Sequence, residues 1–146
     1  MKQLIHDFKF ERKQAVAPIM ARLMAESLPY LPADTIVTHV PTATSRVRQR
    51  GYDHARLLAK FLAKEAGLAY LPLLARVGQA RQVGAKRQTR LSQLDGAFRV
   101  IGPVQKAPIV LVDDIVTTGA TLATATRCLK SSGAKVVDAV VFAQKQ

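Results

Sequence analysis

The run from Ile109 to Thr121 constrains this chain more than any other stretch. It reads Ile-Val-Leu-Val-Asp-Asp-Ile-Val-Thr-Thr-Gly-Ala-Thr. Four branched apolar residues in succession suit a parallel strand covered on both faces. Two carboxylates, Asp113 and Asp114, follow at the C-terminal end of that strand, where ligands of open α/β sheets bind. A Thr/Gly turn then opens a helical pattern, and such a turn aims backbone N–H groups at an anion where the helix dipole favours its charge. A sugar with hydroxyls on one side and a phosphate on the other satisfies all three parts. An ordinary strand-turn-helix with a solvated Asp pair is the plainer reading. Nucleotide hydrolases and receiver domains also carry apolar runs ending in acids. The hydrolase reading lacks its partner, because no G-x-x-x-x-G-K-[ST] occurs in the chain.

The 146 residues predict a single domain with a real core. No apolar run approaches membrane-spanning length, and the opening Met1–Phe10 carries charges where a signal peptide has its apolar core. The expectation is a soluble, cytoplasmic protein with no membrane partner. The lone Cys128 cannot form an internal disulfide and reads as a buried thiol.

A net charge of +12 points to a polyanionic partner, either nucleic acid or a substrate bearing phosphates. The positive charge is knotted at Arg46, Arg48 and Arg50, and again at Arg76, Arg81, Lys86, Arg87 and Arg90, with no acid between Arg76 and Leu94. Both knots fall in predicted loops, where a generic solvated basic surface is the competing reading. Aromatic residues make up 5% of the chain, poor material for base-stacking platforms. His6 and His39 lack metal-ligand spacing, and His54 at a helix start reads as structural or surface.

Periodicity and punctuation divide the chain. Leu4–Phe10 is a short lead-in. Val16, Ile19, Met20, Leu23 and Met24 make one stripe of an amphipathic helix within Lys13–Leu28, with Pro18 in its first turn. Thr35–Val40 reads as a strand and Pro41–Gly51 as a loop. Asp53 can cap a helix over Ala55–Ala66 that ends at Gly67. Leu68–Leu74 is a short strand, Arg76–Leu94 a mobile loop, Ala97–Ile101 a strand and Gly102–Ala107 a turn. Pro108–Asp113 is the central strand, Ala120–Ser131 a helix and Lys135–Ala143 the last strand. This order predicts an α/β fold, a single doubly wound parallel sheet flanked by helices.

The Ile109–Thr121 run resembles the 5-phosphoribosyl-1-pyrophosphate (PRPP) motif of the type I phosphoribosyltransferases. The resemblance extends to the competence-associated ComF family. Arg50, Gly51 and Tyr52 match its Arg-Gly-[Phe/Tyr]-Asn-Gln block, while Asp53 and His54 depart. Gln82, Arg87, Arg90, Leu94, Gly96, Ala97 and Phe98 match its Gln-x-x-Leu-x-Arg-x-x-Arg-x-x-Asn-Leu-x-Gly-Ala-Phe block, with Ala85 and Gln93 replacing Leu and Asn. Leu4-Ile5 and Lys9-Phe10 resemble its opening.

The resemblance implies a PRPP-binding core over residues 35–146, a flexible loop over 76–94 and a small N-terminal hood over 1–34. It implies ribose binding by Asp113 and Asp114, and a 5′-phosphate cradle of Thr117, Thr118, Gly119, Ala120 and Thr121. It implies a pyrophosphate loop of Thr42, Ala43, Thr44, Ser45 and Arg46, helped by Arg48 and Arg50. The flexible loop would close and bring Arg87, then Lys86 and Arg90, to the departing pyrophosphate. The implied reaction transfers ribose-5-phosphate from PRPP to an acceptor, a nitrogenous base, with Mg²⁺ carried mostly by PRPP itself. The pocket for that base would draw on residues 1–34 and 68–75. A homodimer is common among such proteins. Many ComF proteins also carry a cysteine-rich zinc segment, which one cysteine cannot build, so no zinc is expected. The rival expectation is a non-catalytic PRPP-sensing or DNA-associated protein of DNA uptake.

Overall fold

A computed structural model describes residues 14–77, 96–104 and 106–144. A 3-10 turn over Gln14–Val16 leads into α1 (Ala17–Ser27), followed by β1 (Ile36–His39), α2 (Thr44–Arg50), α3 (His54–Ala66) and β2 (Ala69–Tyr70). Then come β3 (Leu74–Arg76), β4 (Phe98–Val100), β5 (Ile109–Val116), α4 (Ala120–Ser131) and β6 (Val137–Gln144). The main sheet is parallel, in the order β2-β1-β5-β6.

Alternation along the central strand sorts its side chains between two cores. Val110 and Val112 pack with Val37 of β1, with Met20 and Met24 of α1, and with Leu58 and Leu62 of α3. Ile109 and Leu111 face the other way, with Ile36, with Phe98 of β4, and with Ala125 and Leu129 of α4. Helices therefore cover both faces, which is why β5 tolerates an unbroken apolar run. The described part of the 1–34 segment is mainly α1, whose buried face of Ala17, Met20, Ala21 and Met24 packs on α3 and the sheet, while Ile19 and Leu23 of the expected stripe are exposed. Among the described residues no helix is long and apolar enough to cross a membrane.

The local signals around α3 are realised: Asp53 accepts the Arg56 N–H at 3.1 Å, and Gly67 closes the helix. Three segments differ from expectation. The expected loop 41–51 contains α2, a two-turn helix with no buried residue, ended by Gly51 at φ 89°. Its sequence has no apolar stripe, so periodicity is blind to it. The expected strand 68–74 divides into β2 and β3, because Pro72 has no N–H for a ladder bond. Its neighbour Leu73 instead donates its N–H to the buried Thr38 hydroxyl at 3.1 Å. Beside the doubly wound sheet, β3 and β4 form a separate antiparallel pair, with Leu74 opposite Val100 and Arg76 opposite Phe98.

The topology also makes a crevice. β1 and β5 run side by side only as far as the pair His39 and Val112, after which β5 continues with β6 alone to Val116. The chain leaving β1 goes to α3 on one face, and the chain leaving β5 goes to α4 on the other. Neighbouring strands whose connections depart to opposite faces leave a cleft at their C-terminal ends.

Candidate functional site

A cavity of about 300 Å³ occupies that cleft. Its floor is the end of β5. Asp113 lies on the sheet face of Leu111, half-buried, and Asp114 on the face of Val112, buried. Each carboxylate is anchored by the next backbone N–H: Asp114 N–H donates to Asp113 Oδ1 at 2.8 Å, and Ile115 N–H to Asp114 Oδ1 at 2.7 Å. These bonds hold the pair in place at the cavity, where both side chains line it.

The next turn carries Thr117, Thr118 and Gly119 into α4. Gly119 has φ 78°, a left-handed conformation that glycine adopts without Cβ strain. The Thr118 hydroxyl accepts the Ala120 N–H at 3.4 Å, a long contact. Residues from Ile115 to Leu122, with Asp113, line a smaller hollow of about 40 Å³. Thr117 and Thr121 border both spaces. Hydroxyls and the first turn of α4 thus meet beside the carboxylates, the arrangement expected of an anion cradle.

The opposite wall is basic. Arg46 and Arg50 are four residues apart on α2, so they share a face, and both line the cavity with Thr42 and Ala43. Arg76 joins them from the end of β3. Its Nε–H donates to the Pro41 carbonyl at 3.0 Å, and its guanidinium lies 5.1 Å from the Phe98 ring centroid. Burial, and next the charge of Arg46, push its pKa below the ordinary value, while Asp113 and Asp53 oppose the shift. An arginine keeps its proton under such pressure, so the cavity retains the charge.

Behind the Thr42 wall lies a second polar group. His39 at the end of β1 is buried and its pKa falls to about 4, because burial disfavours the cation more than Asp53 supports it. The ring is therefore neutral, which suits Nδ1 as acceptor of the Tyr70 hydroxyl at 3.0 Å. Burial also raises the Tyr70 pKa. His54 is buried at the start of α3, with its ring centroid 4.3 Å from that of Tyr52.

Most sequence-predicted residues converge. Thr42, Ala43, Arg46, Asp113, Asp114, Thr117 and Thr121 line the main cavity, and Thr118, Gly119 and Ala120 the adjoining hollow. Thr44 and Ser45 lie exposed on the first turn of α2 and are not among the lining residues. Arg48 is exposed on α2 away from the cavity lining. Lys86, Arg87 and Arg90 lie outside the described residues. The sequence alone puts Arg76 in the loop that follows it, and its place at the cavity comes from the β3–β4 pairing.

Comparison with known proteins agrees with this geometry. The family model "Phosphoribosyl transferase domain" matches residues 53–146. "DNA utilization protein YhgH" of Salmonella typhi is 35% identical over 92% of this chain and 63% of its own length. "Competence protein ComFC" of Streptococcus pneumoniae is 28% identical over 94% of this chain and 60% of its own. The chain thus spans under two thirds of these relatives. The glutamine PRPP amidotransferase of B. subtilis superposes with a TM-score of 0.63 at 17% identity, over 88% of this chain and 26% of that one. At that identity the likeness speaks for the fold. With the family match over most of its length, carried on a parallel sheet wound on both faces, the chain belongs to the phosphoribosyl transferase domain family.

Proposed function

We propose that the cavity binds PRPP and that the protein transfers its ribose-5-phosphate to a nitrogenous base, releasing pyrophosphate. The observation that carries this reading is the opposition across one cavity of an anchored carboxylate pair and three arginines, with threonine hydroxyls at the α4 end. Asp113 and Asp114 would accept the ribose hydroxyls. The turn Thr117–Thr121 would hold the 5′-phosphate. Arg46, Arg50 and Arg76, with Thr42, would face the pyrophosphate.

As the anomeric carbon loses its leaving group, positive charge develops on the sugar and negative charge on the pyrophosphate. The chain contributes by fixing both ends of the substrate and by stabilising the leaving charge. Lys86, Arg87 and Arg90 would add to that stabilisation on loop closure, which also excludes water. Among the described residues no three His, Cys, Asp or Glu side chains cluster to hold a metal. Mg²⁺ would come with PRPP, with Asp113 and Asp114 as neighbouring oxygen donors, and would neutralise the pyrophosphate.

Calorimetric titration with PRPP, with and without Mg²⁺, followed by pyrophosphate release against a panel of bases, tests the proposal. Mg²⁺-dependent binding with base-dependent release is expected. Binding without release from any base would overturn the transferase reading in favour of a PRPP sensor.

A second reading, a DNA-associated role, has its own support: the net charge of +12 and relatives named for DNA utilization and competence. DNA affinity from phosphate contacts falls steeply with salt, whereas PRPP binding follows Mg²⁺ and the Asp pair. A steep salt slope with no PRPP binding would favour DNA.

A further inference from the structure

We propose that Asp53 is a positioning residue for the pyrophosphate side of the cavity, holding Thr42 by both its backbone N–H and its hydroxyl. The inference rests on the PRPP reading for its function, while the clamp itself stands on geometry.

An N-cap aspartate needs one oxygen for its helix. Asp53 does more. Its Oδ1 accepts the Arg56 N–H at 3.1 Å, which is the cap, and also the Thr42 hydroxyl at 3.0 Å. Its Oδ2 accepts the Thr42 N–H at 3.1 Å. Three donors therefore converge on one carboxylate, and two of them come from a residue eleven positions earlier in the chain. Thr42 lines the cavity and Asp53 does not, with its side chain only 16% exposed. A carboxylate on the arginine side of the cavity would repel a pyrophosphate. Set behind Thr42, it acts on the ligand only through the loop it fixes.

The groups around Asp53 support this placement. His39 Nε2 lies 3.8 Å from Oδ2. Its other ring nitrogen is engaged by Tyr70 of β2, whose ring carries Lys60 at 5.7 Å from its centroid. The network thus runs from the edge strand, through the end of β1, to the residue at the cavity wall. The β1 side is tied at Val40, whose N–H donates to the Val112 carbonyl at 2.9 Å, and Pro41 is tied through its carbonyl to Arg76 at 3.0 Å. Thr42 is the next residue, and Asp53 is its anchor. Without it, the segment between Pro41 and α2 loses two bonds to a charged acceptor, the stronger kind of hydrogen bond.

The test uses Asp53→Asn, which keeps an oxygen for the cap and puts an NH₂, unable to accept, in place of the other. Wild type and variant are titrated with Mg²⁺-pyrophosphate and, separately, with ribose 5-phosphate. Pyrophosphate affinity is expected to fall about tenfold, the scale of one charge-assisted hydrogen bond, with ribose 5-phosphate changed by less than about twofold. Equal losses for both ligands would show a merely structural residue and overturn the proposal, as would no loss at all. Should Asp53→Asn not fold, Thr42→Val deletes only the hydroxyl donor, and faster amide exchange at position 42 in the ligand-free protein, with the α3 core amides unchanged, is expected of it. Amide hydrogen exchange in the ligand-free protein separates this proposal from the reading it rests on. If wild type binds neither ligand, PRPP binding is refuted, and faster exchange at Thr42 in Asp53→Asn, with the α3 core amides unchanged, still establishes the clamp. Unchanged exchange at Thr42 overturns it.

Discussion

Lowering the pH should destabilise this protein through His39 in a window where carboxylates contribute little. His39 is 5% exposed. Its pKa falls from 6.5 to about 4, first through burial, with Arg56 and Lys60 adding to the shift and Asp53 opposing it. The unfolded chain takes up a proton below about 6.5, while the folded protein refuses it until about 4. Between those values the unfolded state binds more protons, so the stabilisation is complete above the unfolded value and is lost as pH falls. At about 1.4 kcal/mol per pH unit the ceiling is about 3 kcal/mol, and about 1.4 kcal/mol is gone at about pH 5.5. Urea unfolding at about pH 7.5 and about pH 5.5 measures this. The control is His39→Asn, whose side-chain oxygen still accepts from the Tyr70 hydroxyl and whose amide does not titrate. Wild type should lose about 1.4 kcal/mol more than the variant between the two conditions. Equal losses in the two proteins would refute a buried neutral His39.

Four further outcomes are expected. Asp113→Asn combined with Asp114→Asn should weaken PRPP binding by calorimetry while circular dichroism stays native; unchanged affinity would sink the ribose assignment. Arg76→Lys keeps the charge but loses the fork that bonds the Pro41 carbonyl, so PRPP affinity should fall by about tenfold, and wild-type affinity would show that charge alone suffices. Gly119→Ala imposes a side chain at φ 78° with its nearest neighbour, Val116 Cγ2, at an ordinary 3.9 Å, so a loss of about 1 kcal/mol in urea unfolding should come from the backbone. Leu62→Ala, at a fully buried site between α1, α3 and the sheet, should cost about 2–5 kcal/mol, and a loss below about 1 kcal/mol would contradict the packing described.

The residues from Ile109 to Ser131 carried their structure in order along the chain. An apolar run, an acidic pair, a glycine turn and a helix are each decided by neighbours within a few positions. The same holds for α3, with Asp53 before it and Gly67 after it. The family match then covers this part of the chain and more, from residue 53 onward. α2 was missed because Thr-Ser-Arg-Val-Arg-Gln-Arg buries nothing, and burial is what periodicity reports. Its stop signal, Gly51, was present in the sequence. Pro72 was likewise visible, though not what the chain does on either side of it.

The sequence alone determined the sheet-and-helix class, the carboxylate pair and its threonine turn, because backbone propensity, alternation and capping act over short separations. Which distant charges share a space depends on the packing of the whole fold. Arg76 reaches Arg46 and Asp113 because β3 pairs with β4 beside the cleft, and Thr42 meets Asp53 because α3 returns against the end of β1. Those meetings depend on how layers pack around two cores, and no run of neighbouring residues encodes a distance across a fold.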